Sequence, residues 1–219
     1  MKQILVILLL VCSCLLMAKQ DVPREAAEWT RIWRNGADKS DKPHMLVIGD
    51  SISEQYGGYI FMKANPVMYV DTMASSRSID QDYFWKQLEM VLSDEDYTVV
   101  TFNFGLHGGH LSLEDYAKGM DKYARILKDT GAKIICVSTT PLEPSKEQNK
   151  GTNDLIAQKN VIAKKICKKY GFSYCDIYSV LIDNEGLHNE NDDVHFNEKG
   201  SELMGNIIGD EVVKVFNEK

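Results

Sequence analysis

The sequence has no block of lysine and arginine. It also has no internal repeat, no low-complexity tract and no flexible stretch that would divide two domains. The first absence argues against a nucleic-acid partner, because a phosphate backbone is met by clustered cations. The formal charge of −7 points the same way. The other absences leave one globular domain. Its 219 residues, 44% hydrophobic and 26% charged, hold enough apolar material for a sizeable core. Cysteine is scarce as well. Of the five, Cys12 and Cys14 fall in the first eighteen residues, so Cys136, Cys167 and Cys175 remain. An odd number does not make a disulfide framework. Cys136 lies in an apolar run and reads as a small buried hydrophobe. Cys167 and Cys175 have the option of pairing in an oxidising compartment, but their spacing alone does not establish it.

What is present begins at the N-terminus. MKQILVILLLVCSCLLMA has one lysine, then a nearly unbroken apolar run, then a polar stretch. That pattern predicts a secretory signal over residues 1–18, cleaved after Ala18, rather than a membrane span. Val11-Cys12-Ser13-Cys14 also resembles a lipoprotein cleavage box with Cys14 as the lipidated residue, although the apolar run before it is short. Both readings export the mature chain, to the periplasm or the extracellular space.

Residues 19–44 are polar, with Trp29 and Trp33 at helical spacing, which predicts a short amphipathic helix and a loop ahead of a domain over 45–219. Helix packing is the expected use of the two indoles, stacking on a sugar the alternative. From there strands and helices alternate. Strands are predicted at 45–48, 67–70, 97–104, 133–139 and from 172. Helices are predicted at 80–92, 112–129, 154–170 and 197–216, and residues 183–194 read as a polar loop. The strands at 45–48, 99–104 and 133–138 are close to continuously apolar, as strands of a parallel sheet covered on both faces are. In such α/β sheets ligands bind beyond the C-terminal ends of strands. That draws attention to Ser51, the 71–78 loop, His107, Thr140 and the loop that ends at residue 195.

Residues 47–53 read VIGDSIS. A serine after a strand is a common helix cap, and it is also where a nucleophile would be presented. Serine catalysis needs a base, and a third group to orient that base. NDDVHFNEKG offers Asp192 and His195, whose spacing of three would place them on one side of a helical turn. Asp193 points elsewhere at that spacing. Alone, the pair would serve as caps of the last helix. His107 and His110 suit a metal at turn spacing, with His188 or Asp192 to complete a set, but no second tight ligand pair exists and no metal is expected. Residues 49–53 lack the second glycine of a nucleophile elbow.

VIGDSIS near the start, D-x-x-H before a C-terminal helix and the α/β alternation between them resemble the GDSL-type SGNH hydrolase family, over most of residues 45–216. The resemblance implies a three-layer α/β/α sandwich with a parallel central sheet, flavodoxin-like in form, and a serine esterase that needs no cofactor. It implies Ser51 as nucleophile, His195 as base and then acid, Asp192 as orienter, and Asp50 as the residue that holds the turn. An oxyanion hole is implied too, from the Ser51 N–H and two further donors. Where the family has a glycine after its second strand, ASSRS places Ser76, whose backbone N–H would serve. Where the family has G-x-N-D, Gly105-Leu106-His107-Gly108 places His107, and a neutral imidazole N–H can donate as an amide does. Asn103, on the same strand face as Gly105, is the alternative donor, or a support from behind. The implied substrate is a small-molecule or carbohydrate ester, with carbohydrate O-acetyl esters foremost. The same triad would also serve an acyltransferase. The exchanges at Ser76 and His107 leave room for a weakly catalytic carbohydrate-binding or surface protein.

Overall fold

The structure is a computed structural model that describes residues 22–218; the signal expected over residues 1–18, with the lipidation site expected at Cys14, lies outside the described residues. Burial in both directions explains the core strands. All six residues of β2 (His44–Gly49) are buried, as are five of six in β4 (Tyr97–Phe102) and four of five in β5 (Lys133–Val137). Strand side chains alternate between faces, so a run with no polar alternation needs cover on both sides. Leu46, Ile48, Val100 and Phe102 face one layer, made by α2 (Asp82–Asp94), α3 (Leu113–Asp129) and α4 (Lys150–Tyr170), through Phe84, Leu88, Tyr116, Tyr123 and Ile166. Met45, Val47, Val99 and Val137 face the other, made by α1 (Ser51–Ala64) and α6 (Glu198–Asn217), through Ile52, Tyr56, Ile60, Met204, Ile208 and Val212. Each such large side chain contributes about 1.5–3 kcal/mol by leaving water.

β3 (Tyr69–Ser75) and β6 (Ser173–Cys175) complete the parallel part of the sheet, and with the edge strand β1 (Thr30–Trp33) the order is β1-β3-β2-β4-β5-β6. The chain leaves β2 for β3 on one side and then crosses to β4 on the other. The crevice created by that reversal opens at the C-terminal ends of β2 and β4. The α/β sandwich expected from the sequence is what forms. Among the described residues Cys136, Cys167 and Cys175 are free and buried, so Cys167 and Cys175 are not paired. Among the described residues no helix is long and apolar enough to cross a membrane.

The strand expected at 67–70 runs on through Ser75, so most of the expected 71–78 loop is strand. Two further segments differ from expectation. The helix expected around Trp29 and Trp33 is instead a strand, β1 (Thr30–Trp33), antiparallel to β3, with Thr30 opposite Ser75 and Trp33 opposite Thr72. Its residues alternate between half-buried and exposed, so period two prevails over the period-four spacing of the tryptophans. The cause is tertiary: β3 would otherwise present an open edge of backbone donors and acceptors. Trp33 is 69% exposed and packs no helix. The stretch read as a polar loop folds into a hairpin of β7 (His188–Asn189) and β8 (Asp192–Phe196). Asp192 and His195 therefore lie on a strand and not on a helical turn. A four-residue helix, α5 (Tyr178–Leu181), precedes the hairpin.

Candidate active site

β2 ends at Gly49 and α1 begins at Ser51, so the turn between them is a single residue wide. A Cβ on Gly49 would lie 2.5 Å from the Cβ of Ser53, which leaves no room for a side chain there. The Asp50 carboxylate accepts the Ile52 N–H at 2.9 Å, and its carbonyl accepts the Ser53 hydroxyl at 2.6 Å. Asp50 is thus occupied in capping the helix. Ser51 is half-buried on the first turn of α1, at the positive end of the helix dipole. Its backbone N–H belongs to the group that finds no partner within a helix.

Ser51 Oγ lies 2.8 Å from His195 Nε2, and His195 Nδ1 lies 2.6 Å from Asp192 Oδ2. A carboxylate only accepts, so Nδ1 carries the ring proton and Nε2 is bare, ready to accept the Ser51 hydroxyl. The other carboxylate oxygen, Oδ1, accepts the backbone N–H of Val194 at 2.8 Å and of His195 at 3.1 Å. The aspartate folds back over its own strand, and this lets residues three apart meet without a helix. Burial raises the pKa of the Asp192 carboxyl. The Val194 N–H, the His195 ring and the His195 N–H outweigh that and hold it below the ordinary aspartate value.

Beside this chain is a narrow cleft bordered by Asp50, Ser75, Arg77, Asn103, Gly105 and His107. Its free volume is about 10 Å³, room for about one water-sized group. The expected oxyanion donors fare differently there. The Ser76 N–H donates to the Trp29 carbonyl at 3.1 Å, and its hydroxyl accepts the Trp29 N–H at 2.9 Å, so the residue just before β1 has taken the backbone donor. The Asn103 amide donates to the carbonyls of Val137 and Ser138, each at 3.0 Å, and ties the end of β4 to β5 instead of facing Ser51. His107 borders the cleft, with its Nδ1 2.5 Å from Glu25 Oε1. The proton on that bond belongs to Nδ1. A neutral His107 then has no N–H left, and only the imidazolium offers Nε2–H. This corrects the expectation of a neutral donor. His110 bonds Asp80 at 2.7 Å, and His188 packs at a tilt against Phe196 with ring centroids 4.0 Å apart. The histidines are not gathered, and among the described residues no group of three or more potential ligands forms a metal site.

The model of the GDSL-like lipase/acylhydrolase family matches residues 47–203, from the strand before Ser51 to the first half of α6. The chain belongs to this family. It is accordingly an ester hydrolase. Solved structures share the fold, among them three esterases or hydrolases. A Slackia heliotrinireducens protein assigned to the SGNH hydrolases superposes with a TM-score of 0.63 at 15% identity, covering 78% of this chain and 100% of that one. The acetyl xylan esterase AlAXEase gives 0.61 at 17%, covering 77% and 99%. Axe2, an acetylxylan esterase from Geobacillus stearothermophilus, gives 0.62 at 16%, covering 81% and 95%. No curated protein matches the sequence.

In this member of the family, several residues that no motif marks hold the site in place. Gln55 of α1 donates to the Phe196 carbonyl at 3.0 Å and accepts the Phe196 N–H at 3.2 Å, so the helix that starts with Ser51 grips the strand that carries His195. Asp193 accepts from Lys146 and, at 3.1 Å, from Asn149, and its carbonyl accepts the Glu143 N–H at 2.8 Å, fastening the hairpin from the other side. Buried Lys159 donates to the Gly108 carbonyl at 2.7 Å and anchors the loop of His107. At Gly105 a Cβ would fall 1.9 Å from Thr139 Oγ1, so the loop approaches β5 as only glycine allows. Beyond Tyr56, which is buried, Gly57 and Gly58 border a groove of about 410 Å³ between β1 and α1.

Proposed function

We propose that the chain is an exported serine esterase that removes small acyl groups, acetyl foremost, from carbohydrates or small alcohols through an acyl-enzyme. The observation that carries the reading is the unbroken relay from Asp192 Oδ2 through the His195 ring to Ser51 Oγ, at 2.6 and 2.8 Å. In the first half-reaction the Ser51 hydroxyl gives its proton to His195 Nε2 as Oγ attacks the ester carbonyl. Asp192 balances the imidazolium that forms. Collapse of the tetrahedral adduct returns that proton to the departing alkoxide and leaves Ser51 acylated. In the second half, His195 takes a proton from water, the hydroxide attacks the acyl carbon, and the carboxylic acid leaves as Ser51 is restored. The Ser51 N–H serves as one oxyanion donor, and His107 as the other through Nε2, the ring nitrogen that its bond to Glu25 does not use.

The carbohydrate part of the reading leans on the family resemblance and on neighbours that are acetyl xylan esterases. Export leans on the leader sequence.

The test is hydrolysis of p-nitrophenyl acetate and of an acetylated xylooligosaccharide by the mature chain beside Ser51→Ala. Activity is expected to vanish in the variant, and rapid acid quenching of the parent during turnover is expected to trap one acetyl group on the Ser51 peptide. Equal rates for the two proteins would refute the serine mechanism. An acetylated sugar in place of free acetate would make the chain a transferase on the same triad.

A further inference from the structure

The matched family segment starts at residue 47, yet residues 22–29 and β1 make three separate connections to the loops around the cleft. Glu25 bonds the His107 ring at 2.5 Å. Glu28, whose side chain is 4% exposed, pairs with Arg77 Nη1 at 2.8 Å and accepts Gln81 Nε2 at 3.0 Å. Trp29 bonds Ser76 through both its N–H and its carbonyl. Arg77 and His107 both border the cleft, and each is bonded to a carboxylate of this N-terminal strap. The relation repeats the one between Asp192 and His195, in which a carboxylate behind a ring sets its orientation and the place of its proton.

We propose that the N-terminal strap, residues 22–33, is a positioning element of the active site, and that Glu25 acts through His107. The inference rests on Ser51 being the nucleophile. Because Glu25 takes the Nδ1–H, the ring can present Nε2–H to a developing oxyanion only as the imidazolium, and Glu25 is the counter-charge that this form requires. Glu28 does the corresponding work for Arg77, holding one end of the guanidinium while its Nε lies buried without a partner at the cleft wall. The strap thereby replaces a site built from glycine and asparagine with one built from cationic side chains and carboxylates behind them. Closing Ser76 N–H off with Trp29 is the other half of the same exchange.

Glu25 is the informative position, since its side chain is 47% exposed and its replacement leaves the fold alone. For Glu25→Gln, kcat on p-nitrophenyl acetate is expected to fall toward the roughly 10²–10³-fold loss of a missing oxyanion donor, with KM nearly unchanged. Glu25→Asp should recover part of the loss. The double variant Glu25→Gln/His107→Ala should be no slower than His107→Ala alone, because both changes remove one unit. In protein labelled with ¹⁵N-histidine, the His107 ring nitrogens should shift in Glu25→Gln while those of His195 stay. A Glu25→Gln enzyme with parental kcat beside an inactive Ser51→Ala would overturn the role of the strap and leave the serine mechanism standing. A rise in KM alone, or fully additive losses in the double variant, would overturn it too. An active Ser51→Ala would remove the reading beneath it.

Discussion

Asp192 uses its two carboxylate oxygens for different purposes. Oδ1 binds the N–H groups of Val194 and His195, and Oδ2 binds the imidazole. Asp192→Asn separates these uses. The amide oxygen can keep both backbone bonds, so the hairpin should persist. The amide nitrogen then has to donate to His195 Nδ1, which moves the ring proton to Nε2, where it faces the Ser51 hydroxyl. A base that already carries a proton cannot accept one, and kcat is expected to fall by about 10⁴. KM and the far-ultraviolet circular dichroism spectrum should stay close to those of the parent, and a loss of only a few-fold would contradict the assigned tautomer. Single residues also show how far spacing can be trusted. The interval of three between Asp192 and His195 is a true signal of contact, but an Asx-type fold-back produces it and not a helical turn. The interval of four between Trp29 and Trp33 is no signal at all, because one indole lies under the Arg31 guanidinium at 4.9 Å and the other faces solvent.

Among the elements, β1 is the one whose placement matters most for chemistry, and it is pinned at its far end by a buried carboxylate. Asp71 of β3 is fully buried and accepts Arg34 Nε at 2.8 Å, the Asn35 N–H at 2.8 Å and the Tyr97 hydroxyl at 3.3 Å, with His44 Nδ1 at 3.2 Å. Burial, and then the Asp71 charge, push the Tyr97 phenol well above its ordinary pKa, so it stays a donor. Removing one partner from a buried ion pair costs about 3–5 kcal/mol. Asp71→Asn keeps the shape and loses the charge, and is expected to lower the urea midpoint by an amount equivalent to about 3 kcal/mol. A change below about 0.5 kcal/mol would mean that the network does not hold the strap's exit. None of this is legible in TRIWRN, four residues of weak strand and two of turn. Its partner β3 is about 40 residues away in sequence, and pairing energy settles the conformation where local preference does not.

The molecule as a whole carries several carboxylates whose pKa values are held down by their native contacts. Asp121 is lowered by the Lys169 ammonium, against burial, with help from the Tyr170 hydroxyl. Glu143 is raised by burial and lowered more by the Ser145 hydroxyl and N–H and by the His188 ring. Asp192 behaves as described above. Each binds a proton more readily in the unfolded chain than in the native one. Their contribution to stability is therefore complete above the ordinary carboxylate range, about pH 4–4.5, and is lost as pH falls through the lowered native values. His188 adds to this at higher pH, because burial lowers its native pKa and the unfolded chain takes up that proton first. The melting temperature should therefore begin to decline between about pH 7 and 5 and drop further on acidification; a melting temperature that rises between pH 5 and 3 would contradict these contacts. At this scale the division between what each source decides is plain. Sequence alone determined the parallel sheet, through apolar runs too continuous for a half-exposed strand, and it determined the pairing of Ser51 with the Asp192–His195 end of the chain, through two motifs and the layout between them. Only the tertiary structure decided which donors remain free at the cleft. The Ser76 N–H is taken by Trp29, the Asn103 amide by Val137 and Ser138, and the Nδ1 side of His107 by Glu25, 82 residues away, which leaves that ring only Nε2. A hydrogen-bond donor can be read from a residue's type, but whether it is already spent depends on partners that only folding brings within 3 Å.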